Sequence, residues 1–332
     1  MTANPDPAAP VAVLGGGAWG TALALLMAGN GYPVRLWCHR QEAVRHMIRT
    51  GRNERHLGEV ALSEQIEPMA ALGDAVADVQ LVLIAVPSSV FPDLLDPLAA
   101  HLTTGTPVAW VTKGLGPDGL LGATVVRMLP AHPRAVLSGP SFAPEVARGL
   151  PTAVTLAAED QDTADTLSAA LQNRRFRVYT SRDLAGVQIG GAVKNVIAIA
   201  TGIADTLALG ANARAGLMTR GLAEIRRLGV ALGAEDETFS GLAGMGDLVL
   251  TCTDDQSRNR QYGLALGRGE AGVGAVTVEG ASAAERVLGL ARENRIEMPI
   301  SEQVAAVVAG RTAPTEAVDA LMARGLPRLG GR

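Results

Sequence analysis

The sequence is poor in the residues that several function classes require. Its 332 residues include only two cysteines, Cys38 and Cys252, which lie far apart and outside any CxxC pair. This pattern disfavours a disulfide framework and a structural zinc site, and it fits a reducing compartment. Aromatic residues make up only 3% of the chain, so platforms for stacking nucleic-acid bases are scarce.

No charge of one sign dominates the chain. The 29 Lys and Arg against 33 Asp and Glu give a net charge of −4, which does not indicate a nucleic-acid partner. No cationic segment followed by an apolar one begins the chain, so we expect a cytoplasmic protein. The longest apolar stretch, residues 185–211, contains Lys194, Asn195 and Asp205, which indicates a buried helix and no membrane span.

The length and patterning predict two domains. The first half alternates apolar β-prone runs with helical segments, which is typical of an α/β Rossmann-type doubly wound parallel sheet. After Asp183 only helical patterning remains. We therefore expect a dinucleotide-binding domain over residues 1–183 and an all-α substrate-binding and catalytic domain over residues 184–332. The predicted strands are residues 11–14, 33–37, 80–86, 107–112, 135–138, 152–157 and 176–180.

A glycine-rich motif follows the first predicted strand. Gly15-Gly-Gly17-Ala-Trp-Gly20 is a GxGxxG that precedes a predicted helix over residues 21–28. Gly15 would form the tight turn, Gly17 would let the backbone approach a pyrophosphate, and Gly20 would let helix and strand pack closely. The motif alone could be a plain tight turn, but its place between strand and helix predicts a dinucleotide site at a helix N-terminus.

The end of the second predicted strand indicates which dinucleotide is used. His39 and Arg40 stand where an acidic residue would bind the ribose 2′-hydroxyl of NAD. Because a guanidinium suits a 2′-phosphate, the sequence favours NADP(H), with use of NAD(H) left open. The alternative is that Arg40 is an exposed surface residue.

One lysine interrupts an apolar helical segment. Lys194 follows the pair Gly190-Gly191, which would clear space for a ligand. Burial lowers the pKa of a lysine and suits it to exchange protons near neutrality. The alternative is a structural lysine whose amine reaches solvent.

Other polar residues form a candidate substrate site. Ser257-Arg258-Asn259 combines a guanidinium with small donors, which suits a phosphate. Asp247 follows a glycine-rich turn, and both it and Ser257 could instead cap helices. The five histidines show no metal-ligand spacing, so no metal cofactor is expected.

Two predicted strands end in further candidates. Lys113 follows one of them, and Ser138-Gly139-Pro-Ser141 follows another. In open α/β sheets the carboxyl ends of strands carry ligand-binding residues, although such segments can also be simple turns.

Three long strings of the sequence resemble one enzyme family. They are LSGPSFAPEVARGLPTAV (residues 137–154), GVQIGGAVKNVIAIATGIADTLALGANARAGLMTRGLAEI (186–225) and GLAGMGDLVLTCTDDQSRNRQYGLALG (241–267). The chain is similar to the bacterial-type NAD(P)-dependent glycerol-3-phosphate dehydrogenases. The resemblance implies a Rossmann domain followed by a helical domain, with dihydroxyacetone phosphate and glycerol 3-phosphate interconverted in the cleft between them, supplying phospholipid synthesis.

The resemblance also implies residue roles. Lys194 would exchange the substrate proton. In the mechanism that we expect from these roles, Asp247 would orient Lys194. The implied substrate-binding positions are Lys113, Gly139, Ser141, Lys194, Asp247, Ser257, Arg258 and Asn259. The implied cofactor-binding positions are Gly15, Gly17, Ala18, Trp19, Gly20, His39, Arg40, Lys113, Ala143, Arg258 and Glu279.

Two departures from the family pattern affect the implied cofactor contacts. The family's Gly-Ala-Gly-Ser-Trp-Gly loop has Gly16 and Ala18 here, so a hydroxyl near the pyrophosphate is lost. Thr277-Val278 replaces the two valines common before the glutamate. The contacts at Ala18 and Thr277 are therefore open.

Two other functions compete with this interpretation. A related two-domain 3-hydroxyacid dehydrogenase would take carboxylate substrates, whereas the cluster around Arg258 favours a phosphate. A non-catalytic NADP(H)-sensing module would need no buried lysine. For the favoured enzyme we expect a small-molecule substrate and a homodimer.

Overall fold

The computed structural model describes residues 6–117, 119–270 and 278–323, so Thr277 lies outside the described residues. The chain divides into two compact units, Met1–Gln188 and Ile189–Arg332. The division falls inside the helix Leu184–Thr206, a few residues after the boundary that the sequence predicts.

The described part of the first unit contains ten strands and eight helices before the helix at which the division falls. The strands are β1 (Val11–Leu14), β2 (Val34–Trp37), β3 (Ile66–Met69), β4 (Val82–Ile84), β5 (Val108–Trp110), β6 (Leu115–Gly116), β7 (Gly119–Leu120), β8 (Arg134–Ser138), β9 (Thr152–Ala158) and β10 (Phe176–Ser181). The helices are α1 (Ala18–Gly29), α2 (Gln41–Thr50), α3 (Glu54–Leu57), α4 (Leu72–Val76), α5 (Phe91–His101), α6 (Leu121–Met128), α7 (Ala143–Ala147) and α8 (Gln161–Leu171).

Eight of these strands form one sheet in the order β10-β9-β8-β5-β4-β1-β2-β3. Strands β3-β2-β1-β4-β5 follow the Rossmann order, which confirms the predicted fold class. All residues of β1 are fully buried, as expected for an apolar strand covered on both faces. The chain changes direction across the sheet between β1 and β4, and the carboxyl ends of these strands border the crevice where such sheets bind ligands.

The structure corrects the strand prediction in three places. Strand β9 pairs antiparallel with β8, although the prediction was a wholly parallel sheet. Strand β3 was not predicted because Glu67 and Pro68 interrupt its apolar pattern, and a proline is tolerated there because β3 lies at the sheet edge. The short hairpin of β6 and β7 was also not predicted.

Helices alone form the regular structure in the described part of the second unit, which confirms the predicted all-α domain. They are α9 (Leu184–Thr206), α10 (Gly210–Ala231), a 3₁₀ turn (Asp236–Ser240), a π-helical turn (Leu242–Gly246), α11 (Asp247–Thr253), α12 (Arg258–Gly267), α13 (Glu279–Glu293), α14 (Pro299–Val308) and α15 (Pro314–Ala323).

Helix α9 is long and apolar enough to cross a membrane by length and composition, yet its most apolar 18-residue window is entirely buried inside the protein. A core helix of a soluble protein has these properties. Close packing against α12 contributes to this burial, because a Cβ added at Gly202 or Gly263 would lie 2.2 Å from a backbone oxygen of the other helix. The chain therefore carries glycines at this crossing for packing.

Both cysteines are expected to resist alkylation in the folded protein. Burial raises the pKa of the Cys38 thiol to about 11 and that of Cys252 to about 12. The thiolate is the reactive form, and a raised pKa reduces its fraction, so at pH 8 modification by iodoacetamide should be at least about a hundredfold slower than for a free thiol. Intact-protein mass spectrometry with and without denaturant measures this, and rapid labelling of the folded chain would contradict it.

Candidate active site

The three glycines of the GxGxxG motif differ in how much space surrounds them. Gly15 has a φ of +127°, and a Cβ there would lie 2.6 Å from the carbonyl oxygen of Ala85. A Cβ at Gly20 would lie 1.9 Å from the carbonyl oxygen of Gly15, whereas a Cβ at Gly17 would meet no atom within 4 Å. The three glycines thus show the turn, the open approach and the close packing that the motif predicts. Helix α1 begins at Ala18, inside the motif and earlier than the predicted residue 21.

The residues around this loop fit a dinucleotide. The indole Nε1 of Trp19 is buried and has no hydrogen-bond partner among the described residues. His39 and Arg40 are exposed where β2 leads into α2. Gly17 would admit a pyrophosphate, and Arg40 would offer a guanidinium to a phosphorylated ribose. A Cβ at Gly16 would lie 1.9 Å from Cys38 Sγ, so the neighbouring thiol explains the glycine at this position.

A second group in the first unit lies at the ends of β5 and β8. Lys113 Nζ donates a hydrogen bond to the carbonyl oxygen of Gly139 at 3.0 Å, and Ser141 Oγ donates to the same oxygen at 2.9 Å. Gly139 has a φ of +144°, which favours glycine. Ala143 begins α7 just beyond this group. The structure therefore brings together three predicted substrate-binding residues that are separated in sequence.

In the second unit, Lys194 lies inside the protein and is paired. Its side chain is 6% exposed, and its Nζ forms an ion pair with Asp247 Oδ1, whose side chain is 1% exposed. Lys194 Nζ also donates to Thr251 Oγ1 at 2.8 Å, and this hydroxyl donates to the backbone oxygen of Asp247 at 2.6 Å. The alternative of a lysine reaching solvent is wrong.

The surroundings of Lys194 differ from the sequence prediction in two respects. A Cβ at Gly190 would lie 2.3 Å from the carbonyl oxygen of Ala243. This glycine therefore allows the Ala243 backbone to pack closely and clears no space for a ligand. The sequence reasoning also missed Thr251. It stands four residues after Asp247 in α11, and residues at this spacing share one helix face, so the spacing could have identified it.

The predicted phosphate-binding residues begin α12. Ser257 Oγ accepts a hydrogen bond from Arg260 N at 3.3 Å and caps the helix, which was one of its two predicted roles. Asn259 Oδ1 accepts from Gly280 N at 2.9 Å, next to Glu279 at the start of α13. Because this bond uses the amide oxygen of Asn259, the two amide hydrogens point away from Gly280. Arg258 is exposed as the first residue of α12.

A compositional signal also points to the two candidate groups. Of the 29 Lys and Arg residues only Lys113 and Lys194 are lysines. An arginine side chain stays charged in proteins, whereas a lysine can give up a proton. Retention of lysine at these two positions is therefore a signal of chemistry that arginine cannot supply. Among residues 6–117, 119–270 and 278–323, no group of three His, Cys, Asp or Glu side chains is placed to hold a metal ion.

Comparisons with known proteins agree over nearly the whole chain. The family models described as NAD-dependent glycerol-3-phosphate dehydrogenase N-terminus and C-terminus match residues 10–164 and 183–319. A curated glycerol-3-phosphate dehydrogenase (NAD(P)+) from Alkalilimnicola ehrlichii is 54% identical over 322 residues, 95% of this chain and 97% of the relative. One from Nitrosococcus oceani is 50% identical over 320 residues, 94% of this chain and 93% of the relative. The crystal structure of glycerol-3-phosphate dehydrogenase from Coxiella burnetii aligns with a TM-score of 0.92 at 43% identity, covering 96% of this chain and 100% of that chain.

Proposed function

The chain belongs to the NAD-dependent glycerol-3-phosphate dehydrogenase family, and we propose that it catalyses the reversible NAD(P)H-dependent reduction of dihydroxyacetone phosphate to sn-glycerol 3-phosphate. It is an oxidoreductase, and the resemblance that the sequence strings indicate is confirmed by the family match. The buried group of Lys194, Asp247 and Thr251 is the observation that carries the proposed chemistry.

When bound, NAD(P)H supplies a hydride to the carbonyl carbon of the substrate. Gly15, Gly17 and Gly20 would hold its pyrophosphate against the start of α1. The buried indole nitrogen of Trp19, which lacks a hydrogen-bond partner in the described part of the chain, supports a polar ligand beside this loop. Arg40 supports NADP(H), while the names of the relatives leave both cofactors in use.

Lys194 would protonate the oxygen on which negative charge develops during reduction. Its ammonium is positioned before the reaction by Asp247 and Thr251, so no reorganisation is needed as the charge forms. Such an interaction is stronger in the transition state than with the neutral carbonyl, which is the condition for catalysis. In the oxidation direction the same amine would accept the proton.

Arg258 and Asn259 would hold the substrate phosphate. The exposed guanidinium of Arg258 offers paired donors, and the Asn259 amide hydrogens are not used by the bond to Gly280. Lys113 and Ser141 are also among the residues that we propose to bind the substrate. Binding the non-reacting phosphate would orient the carbonyl and so contribute to the rate.

The setting of the reaction is also part of the proposal. The buried α9 fits a soluble protein, and we place the enzyme in the cytoplasm as a homodimer, without a nucleic-acid partner. Its product would supply phospholipid synthesis. The 3-hydroxyacid dehydrogenase and NADP(H)-sensing alternatives receive no support from the family match.

The test follows NADPH oxidation with dihydroxyacetone phosphate and then with dihydroxyacetone, which lacks the phosphate. We expect kcat/KM to fall on the order of a hundredfold or more without the phosphate, because charge-assisted hydrogen bonds are lost. Repeating the assay with NADH gives the cofactor preference.

Arg258→Gln provides the control for this assay. This variant should reduce the difference in kcat/KM between the two ketones, because the lost guanidinium would bind only the phosphate of dihydroxyacetone phosphate. The proposed function would be contradicted if neither ketone oxidised NADPH or NADH, or if the enzyme turned over 3-hydroxyacids instead.

A further inference from the structure

Asn53 stands at the N-cap of α3 but does not cap that helix. Asparagine is among the preferred N-cap residues because its side chain accepts a hydrogen bond from the helix. Here its backbone oxygen accepts from His56 and Leu57, while its side chain makes no capping bond. The side chain is therefore used for a different purpose, although it is buried with only 6% exposed.

The amide of Asn53 contacts the glycine-rich loop. Its Nδ2 donates to the carbonyl oxygen of Gly16 at 3.0 Å and to Thr21 Oγ1 at 2.7 Å. Thr21, fully buried, donates its own hydroxyl hydrogen to the carbonyl oxygen of Gly17 at 2.8 Å. The Asn53 side chain thus holds the Gly16 carbonyl directly and, through the Thr21 hydroxyl, supports the Gly17 carbonyl, which also accepts from the Thr21 backbone N–H at 3.0 Å.

The pattern of donors and acceptors determines which atom of the amide faces the loop. A carbonyl oxygen can only accept, so Gly16 requires a nitrogen opposite it. The Thr21 hydrogen is committed to Gly17, so its oxygen accepts from the second amide hydrogen. Both hydrogens of the Asn53 amide are therefore used. Aspartate has the same shape, but its carboxylate cannot donate. It would place a carboxylate oxygen against the carbonyl oxygen of Gly16.

We propose that Asn53 is a positioning residue for cofactor binding, which holds the Gly16 and Gly17 carbonyls inward so that the loop presents its open face to the dinucleotide pyrophosphate. No atom of the described residues lies within 4 Å of the Cβ position of Gly17, and α1 begins at the next residue. Fixing the carbonyls before binding avoids the cost of ordering the loop during binding. This inference rests on the proposed dinucleotide site of the first unit.

The test compares Asn53→Asp and Asn53→Ala with the wild type. We expect the Kd of NADPH to rise about tenfold, as for the loss of one or two hydrogen bonds. The KM for dihydroxyacetone phosphate and kcat at saturating NADPH should stay within about twofold, because the loop does not hold the ketone. ADP-ribose carries the pyrophosphate without the nicotinamide. Its inhibition constant as a competitive inhibitor should rise by the same factor as the Kd of NADPH.

Asn30→Asp is a matched control. The Asn30 amide also donates to two backbone carbonyls, those of Ala170 and Leu171 at 2.8 and 3.1 Å, but at the other end of α1. This variant should lose stability without a change in the Kd of NADPH. If an Asn53 variant does not fold, Thr21→Val tests the same arrangement, because it removes the hydroxyl that links Asn53 to the Gly17 carbonyl and leaves only the backbone bond from Thr21 N–H to that carbonyl.

The outcomes separate the inference from the proposed function. A wild type that oxidises neither NADPH nor NADH with dihydroxyacetone phosphate refutes the function. An active wild type whose Asn53 variants keep the Kd of NADPH, and lose only thermal stability or kcat, overturns the positioning role. Weaker NADPH binding with unchanged ADP-ribose inhibition overturns it as well, because the effect would then not lie at the pyrophosphate.

Discussion

Lys194→Ala is expected to lower kcat for dihydroxyacetone phosphate reduction by at least about a hundredfold, the lower range for a general acid or base. The substitution removes the only group that the proposal assigns to protonate the developing alkoxide. The side chain is 6% exposed, so bulk water does not replace the amine as a donor at its position. Steady-state kinetics with NADPH measure the effect.

Cofactor binding separates loss of chemistry from loss of the fold. Lys194 is not among the proposed cofactor-binding residues, so the Kd of NADPH in Lys194→Ala should stay within about twofold of the wild type. Lys194→Met, which fills the same space without an amine, should be as slow as the alanine variant. Near-normal turnover of either variant would remove Lys194 from the mechanism.

The sequence predicted the elements whose pattern follows directly from burial. Strand β1 is apolar at every position because both of its faces are covered, and its predicted bounds are those observed. Strand β3 was missed because Glu67 and Pro68 interrupt its apolar pattern. At the edge of the sheet these residues reduce the stability of the strand only slightly. The antiparallel pairing of β9 could not be predicted, because an apolar strand carries no mark of its direction.

The candidate site was predictable in its residues more than in its contacts. Lys194 could be selected because a single charge in an apolar helix is unusual. Whether Ser257 caps a helix depends on where α12 begins, and the sequence left this open. The space beside Gly190 depends on the position of the Ala243 backbone. Ala243 lies in a π-helical turn, and no local sequence pattern predicts such a turn. Contacts made across long sequence separations therefore needed the structure.

Asp247→Asn is expected to destabilise the protein by about 3–5 kcal/mol, because removing one partner leaves the other charge buried without compensation. The side chains of Asp247 and Lys194 are only 1% and 6% exposed, so solvent screens neither charge when its partner is removed. For a unit of this size the apparent Tm should fall by about 10 °C. Calorimetry measures it, and a Tm unchanged within a degree would show that the pair contributes little.

The double variant Lys194→Met/Asp247→Leu distinguishes stability from catalysis at this pair. Replacing both charges with apolar groups of similar volume removes the uncompensated ion, so most of the lost Tm should return. Activity should not return, because no proton donor is restored. If the buried pair served only the fold, the double variant would recover both properties. A stable but inactive double variant would instead show that the protein retains a costly buried ion pair for the positive charge it places at the substrate.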